Sequence, residues 1–131
     1  MILLGDFFTI GSLETPVHDG SFTVKAILDI NPSHPIFEGH FPGQPVVPGV
    51  CMMQMIKEVL ETVIGQETRL VSAASAKFLA MIDPGETRQV SAELICRGED
   101  AGGPGKQISV EGKFFKEEVT YLKYKAVFKT L

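Results

Sequence analysis

With 131 residues, 44% of them hydrophobic and 21% charged, the chain has the size and balance of one folded domain spanning residues 1–131. Its net charge of −4 argues against a nucleic-acid partner. The longest apolar stretches are interrupted by Pro48 or Lys77 and cannot span a bilayer, so no membrane partner is expected either. Three histidines without neighbouring cysteine or acidic clusters offer no metal-ligand spacing, and no metal or other cofactor is expected. Cys51 and Cys96 lie in apolar surroundings and read as buried free thiols. The opening MILLGDFF lacks a basic leader and reaches Gly5-Asp6 too early for a secretory h-region, and the free-thiol reading of the two cysteines makes the reducing cytoplasm the expected location.

The charge is unevenly distributed. Residues 106–131 carry six lysines against three glutamates, +3, whereas the other 105 residues carry six basic and thirteen acidic groups, −7. A lysine-rich face can be a solvated strand surface or can steer an acidic partner.

In chain order, Phe22, Val24, Ala26, Leu28 and Ile30 alternate with Ser21, Thr23, Lys25 and Asp29, the pattern of a half-buried strand that stops at Asn31-Pro32. Residues 32–49 hold five prolines and three glycines, which excludes helix there and predicts a stiff positioning loop. A helix follows from Val50 to Ile64, with Gly65 as its stop. Its first half is apolar nearly all round and should be buried all round; Lys57, Glu58, Glu61 and Thr62 form a polar face only in the second half.

Residues 69–82 read as a central strand, apolar on both faces. Turns at Asp83-Pro84-Gly85 and Gly102-Gly103-Pro104-Gly105 bracket a strand with Val90, Ala92, Leu94 and Cys96 on one face. Two more follow, with Ile108, Val110, Gly112 and Phe114, then Leu122, Tyr124, Ala126 and Phe128, facing inward. One apolar helix followed by hairpin-connected strands predicts an α+β fold, a curved antiparallel β-sheet wrapped around one central helix.

The segment HPIFEGHFPGQPVVPGV, residues 34–50, closely resembles the signature of the hotdog-fold (3R)-hydroxyacyl-acyl-carrier-protein dehydratases, carried by Gly39-His40-Phe41-Pro42-Gly43, Pro45 and Pro48-Gly49. The resemblance implies a hotdog fold, elimination of water from a 3-hydroxyacyl thioester, and His40 as the catalytic histidine. It implies Phe41, Val46, Gly49 and Val50 around the substrate, with the Val46 carbonyl orienting the imidazole. The backbone N–H of Gly49 or Val50 at the helix start would hold the thioester oxygen. It further implies an acyl-carrier protein or acyl-CoA thioester as partner, and a dimer at least, with each site built across the subunit interface. His18 and His34 match no such role and read as solvated loop residues.

One position departs from the pattern. Fourteen residues after the histidine the family places Glu or Asp on the buried helix, where this chain has Gln54. An amide does not deliver a proton as a carboxylic acid does. Glu58 is the nearest carboxylate on a similar face, but using it would move the site roughly 6 Å along the axis at about 1.5 Å per residue. Three readings therefore stand: a dehydratase with Gln54 holding the hydroxyl or a water; a non-catalytic or partner subunit that binds acyl chains or pairs with a dehydratase paralogue; and an acyl-thioester isomerase or thioesterase.

Overall fold

Alternation of apolar and polar residues dictates where the strands lie and which face they bury. The computed structural model describes residues 2–18, 21–98 and 103–131. Strand β1 (Phe8–Glu14) and the two-residue β2 (Val17–His18) both pair with β3 (Ser21–Ile30). Strand β4 (Thr68–Phe78) follows the two helices, and β5 (Gln89–Gly98), β6 (Gln107–Lys116) and β7 (Val119–Thr130) complete an antiparallel sheet of order β1-β3-β5-β6-β7-β4. The inward residues named from the sequence on β5, β6 and β7 are buried, and they share one core with Met55, Ile56, Val59 and Leu60 of helix α2 (Gly49–Ile64). Helix α2 ends where expected: Gly65 adopts the left-handed conformation (φ 69°) and returns its N–H to the Glu61 carbonyl at 2.9 Å. At the Asp83 turn, Thr87 N–H bonds the Asp83 carbonyl at 2.7 Å and Gly85 N–H bonds Asp83 Oδ1 at 2.8 Å. Of the second expected turn, Gly102 lies outside the described residues.

Four expectations change. The proline-rich segment does hold one helical turn, α1 (Ile36–Gly39), because Pro35 takes helical angles (φ −56°, ψ −23°) as a lead-in residue and no proline follows until Pro42. Residues 8–14, to which the sequence assigned no strand, form β1; a bulge between Ile10 and Ser12 interrupts the alternation that would have marked it. Strand β4 is an edge rather than a central strand, ends at Phe78, and is exposed from Arg69 onward except at half-buried Ser75. The first half of α2 is not buried all round, since Val50 is 64% exposed, while Glu58, placed on the polar face, is only 6% exposed.

Candidate functional site

The loop between α1 and α2 is closed on itself by its own backbone. Val46 N–H donates to the His40 carbonyl at 2.9 Å, and Phe41 and Gln44 exchange N–H to carbonyl bonds of 3.1 and 2.9 Å. Val47 N–H then ties the loop to the Ile82 carbonyl at 2.9 Å. Inside this frame the His40 Nδ1 lies 3.1 Å from the Val46 carbonyl oxygen. A carbonyl only accepts, so Nδ1 carries a proton, and in the neutral ring the lone pair then belongs to Nε2, the nitrogen that can act as a base. The His40 and Phe41 rings stack with centroids 4.2 Å apart at 23°, and Phe41 remains 53% exposed.

Helix α2 starts immediately after the loop. The Pro48 carbonyl accepts from Cys51 and Met52 N–H at 3.0 and 3.1 Å, and no side chain caps the helix. The N–H groups of Gly49 and Val50 have no acceptor among the described residues, as the first donors of a helix do not. They combine unpaired donors with the positive end of the helix dipole. Gly49 is under a further constraint, because a Cβ built there would meet Cε1 and Cζ of Phe78 at 2.8 Å. The close approach that a glycine permits at this point is therefore taken by an aromatic ring from β4.

One and a half turns along α2, Gln54 Nε2 donates to Glu58 Oε2 at 2.9 Å. The same carboxylate accepts from Leu3 N–H (3.0 Å to each oxygen) and Leu4 N–H (2.7 Å). Glu58 thus anchors the chain's first residues onto the helix, a role that sequence spacing between residues 3 and 58 does not reveal. Within one chain the loop and Gln54 line different concavities. Phe41 lies on one of about 270 Å³ with His34, Phe37 and Pro45, and Gln54 on a groove of about 570 Å³ with Ile2, Leu4, Glu58, Glu61 and Leu131.

His34 is not the solvated residue expected. Its Nδ1 accepts from Ile36 N–H at 3.1 Å, its Nε2 faces Asp6 Oδ2 at 3.2 Å, and its ring meets Phe7 edge-on at 5.3 Å. Both ring nitrogens are engaged in joining the N-terminal segment to the loop, which is a structural task. The side chain of His18 lies outside what the structure describes. Cys51 and Cys96 are buried free thiols; burial pushes the Cys96 pKa up to about 12 and raises that of Cys51. No group of three or more metal-ligating side chains occurs among the described residues. No helix there is long and apolar enough to cross a membrane.

Residues 17–101 match the family model of the ApeI-like dehydratases, described as ApeI dehydratase. The 3-hydroxyacyl-acyl-carrier-protein dehydratase FabZ of Wolbachia pipientis is 34% identical over 89 residues, covering 61% of this chain and 62% of that enzyme. The match thus spans less than two thirds of the relative. The enzyme of the same name from Rickettsia felis is 26% identical over 103 residues, 72% of this chain and 71% of that protein. Among solved structures, an uncharacterized protein from Erwinia carotovora superposes with a TM-score of 0.66 at 22% identity, over 93% of this chain and 94% of that one. The dehydratase heterocomplex ApeI:P from Xenorhabdus doucetiae gives 0.58 at 18% identity, over 92% of this chain and 96% of that one. At these identities the structures show the fold, an α+β hotdog.

Proposed function

Because the chain belongs to the ApeI-like dehydratase family, we propose that it removes water from a 3-hydroxyacyl thioester borne on an acyl-carrier protein or coenzyme A. The observation that carries this reading is the His40 ring, fixed by Val46 so that Nε2 is the basic nitrogen, in the loop that delivers the unpaired N–H groups of Gly49 and Val50. In the reaction Nε2 takes the proton from Cα, and the electron pair moves toward the thioester oxygen. The two N–H groups hold that oxygen as it gains charge. The enolate then collapses to the 2-enoyl thioester, the bond to the 3-hydroxyl breaks, and the proton on Nε2 leaves with that oxygen as water. Gln54 holds the hydroxyl, and Phe41 borders the acyl path.

The complete site needs a second protomer on this reading, because Phe41 and Gln54 open into different concavities of one chain. Strand β4 offers the seam: it is an edge with exposed Leu70, Val71 and Phe78, followed by exposed Leu79 and Met81. An unpaired strand edge with apolar side chains on both faces is suited to pairing with a copy of itself. Buried free thiols fit a cytoplasmic setting.

Gln54, an amide where the family's pattern has an acid, favours a second reading in which the partner is a dehydratase paralogue that supplies the acid. One experiment separates the two. The purified chain is given 3-hydroxyacyl thioesters on carrier protein and on coenzyme A, and formation of the conjugated enoyl thioester is followed. Turnover by wild type, abolished in His40→Ala, is expected. Activity appearing only after mixing with a paralogue would establish the mixed dimer. Release of free thiol, or a shifted double bond, would assign the chain to thioesterase or isomerase chemistry.

A further inference from the structure

We propose that Phe78 is a specificity-determining residue: its ring walls the mouth of α2 beside the thioester, so that the site takes acyl groups unbranched at C2 and disfavours those with a 2-alkyl substituent. The inference deepens the dehydratase reading and rests on it. It starts from the contact between Phe78 and Gly49, where ring carbons Cε1 and Cζ lie 2.8 Å, and Cδ1 3.3 Å, from the place a Cβ would take. In a helix every Cα–Cβ bond leans toward the N-terminus. A ring at the Cβ position of the first residue of α2 therefore stands at the open end of the helix, beside the N–H groups of Gly49 and Val50. Those are the donors without an acceptor among the described residues.

Backbone pairing fixes the point from which the ring projects. Phe78 ends β4 opposite Leu122 of β7, and Leu79 N–H donates to the Tyr121 carbonyl at 2.8 Å. The residue is 49% exposed, so part of its apolar surface is left uncovered by the chain. A thioester oxygen bound to the two N–H groups brings the carbonyl carbon and its two neighbours, sulfur and C2, up to that wall. Sulfur is divalent and bears the same carrier arm in every substrate. C2 is the neighbour whose bulk differs between substrates, so crowding by the ring is felt there. An unbranched C2 offers only hydrogens, one of which His40 removes. A 2-methyl group still leaves a hydrogen for His40 to take, but it adds a carbon that must find room beside the ring.

The test compares a 3-hydroxyacyl thioester with its 2-methyl counterpart in wild type and in Phe78→Ala, the faster of the two C2 configurations setting the comparison. Wild type should favour the unbranched substrate in kcat/KM by about 10–200-fold, the effect of one carbon in an apolar pocket. Phe78→Ala should bring the two near parity by raising turnover of the branched substrate. Phe78→Leu, which keeps an apolar side chain at the strand end, should fall between them and serves if the alanine variant does not fold. Removal of a merely structural ring would lower both substrates alike, and an unchanged ratio overturns the proposal. A wild type indifferent to the 2-methyl group overturns it too. A wild type that turns over neither substrate removes the dehydratase reading. The ratio of dissociation constants for the two thioesters, wild type against variant, then decides the role of Phe78, and binding of neither overturns it.

Discussion

The Phe78 ring stands where a Cβ on Gly49 would need to be, with two ring carbons 2.8 Å from that position. A β4 side chain thus dictates the identity of the first residue of α2, next to the donors proposed for the thioester oxygen. Gly49→Ala must push the ring aside; Phe78 is 49% exposed and meets the site with the far end of its ring, so the cost should fall at or below about 1 kcal/mol, the low end for overpacking. In a Phe78→Ala background the same substitution should cost much less, because the space is then open. Denaturant melts of the four proteins give the coupling directly. Equal costs in both backgrounds would mean that the two residues do not meet in solution.

Strand β4 leads to the second expectation. The protein should run as a dimer at micromolar concentration, and a lysine in place of the half-exposed Val71 should shift it toward monomer by charging the edge. Light scattering after gel filtration reads the mass. A monodisperse wild-type monomer would remove β4 as a seam and leave the division between the two concavities unexplained.

The same strand marks a limit of what a sequence displays. Alternation on β3, β5, β6 and β7 identified the inward residues because each strand has one face on the core. Residues 69–82 read as a central strand, apolar on both faces, because an apolar pattern alone does not distinguish a strand covered on both faces from an edge strand such as β4. At the site, the 34–50 signature located His40 and its 3.1 Å contact with Val46, since both belong to one closed loop. Nothing local announced Glu58: its partners Leu3 and Leu4 offer backbone N–H groups, which every residue except proline carries. The pairing of Phe78 with Gly49 was hidden for a related reason, because it joins a helix start to a strand end 29 residues later.

The lysine-rich C-terminal segment gains a definite arrangement in the sheet. Lys113, Lys123 and Lys77 lie directly opposite one another on β6, β7 and β4. Lys113 has Glu93 at 3.8 Å and lies 4.8 Å over the Phe115 ring, whereas no ion pair engages Lys123 or Lys77 among the described residues. Like charges opposed across strands cost stability, roughly 0.2–1 kcal/mol per pair. Lys123→Glu should therefore raise the melting temperature slightly. If the row steers an acidic carrier protein, that substitution and Lys113→Glu should also slow association, and wild-type association should weaken as salt rises. An on-rate indifferent to salt and to both substitutions would return the row to a solvated strand face.

Burial of the thiols fixes the sign of the alkaline response. Cys96 is pushed from its ordinary value of 9.0 up to about 12 by desolvation, and Cys51 and Tyr124 are raised for the same reason. Below about pH 9 these groups are protonated in both states and cost nothing. Above it the unfolded chain loses protons that the folded chain retains, so stability declines as pH rises toward 12. Cys96 contributes to that decline with a slope of roughly 1 kcal/mol per pH unit at most. Urea melts between pH 8 and 11 should show the decline, with a shallower slope in Cys96→Ala. A slope identical in the two proteins would separate the loss from Cys96.

Gln54→Glu tests the missing acid, and the contact with Glu58 sharpens what to expect. The new carboxyl would replace an NH₂ donor at 2.9 Å from Glu58 Oε2, so two carboxyl groups would meet in a confined place. Like charge and partial burial both favour keeping a proton there and raise the pKa of the introduced group. A raised pKa suits a general acid, which must be protonated at the working pH. If the dehydratase chemistry lacks only this acid, turnover of a 3-hydroxyacyl thioester should rise by about 10–10³-fold, the lower part of what a positioned acid supplies. The gain should fade as pH rises through the raised pKa, since the ionised carboxylate gives no proton. Stability should fall somewhat, because the donor from residue 54 to Glu58 is lost. His40→Ala should abolish activity in both backgrounds, no other base being placed in the loop. A folded Gln54→Glu that is no faster than a briskly active wild type would show that the amide is already sufficient, with His40 carrying the proton alone. An inert wild type together with an inert variant would instead favour the acyl-binding or mixed-dimer reading.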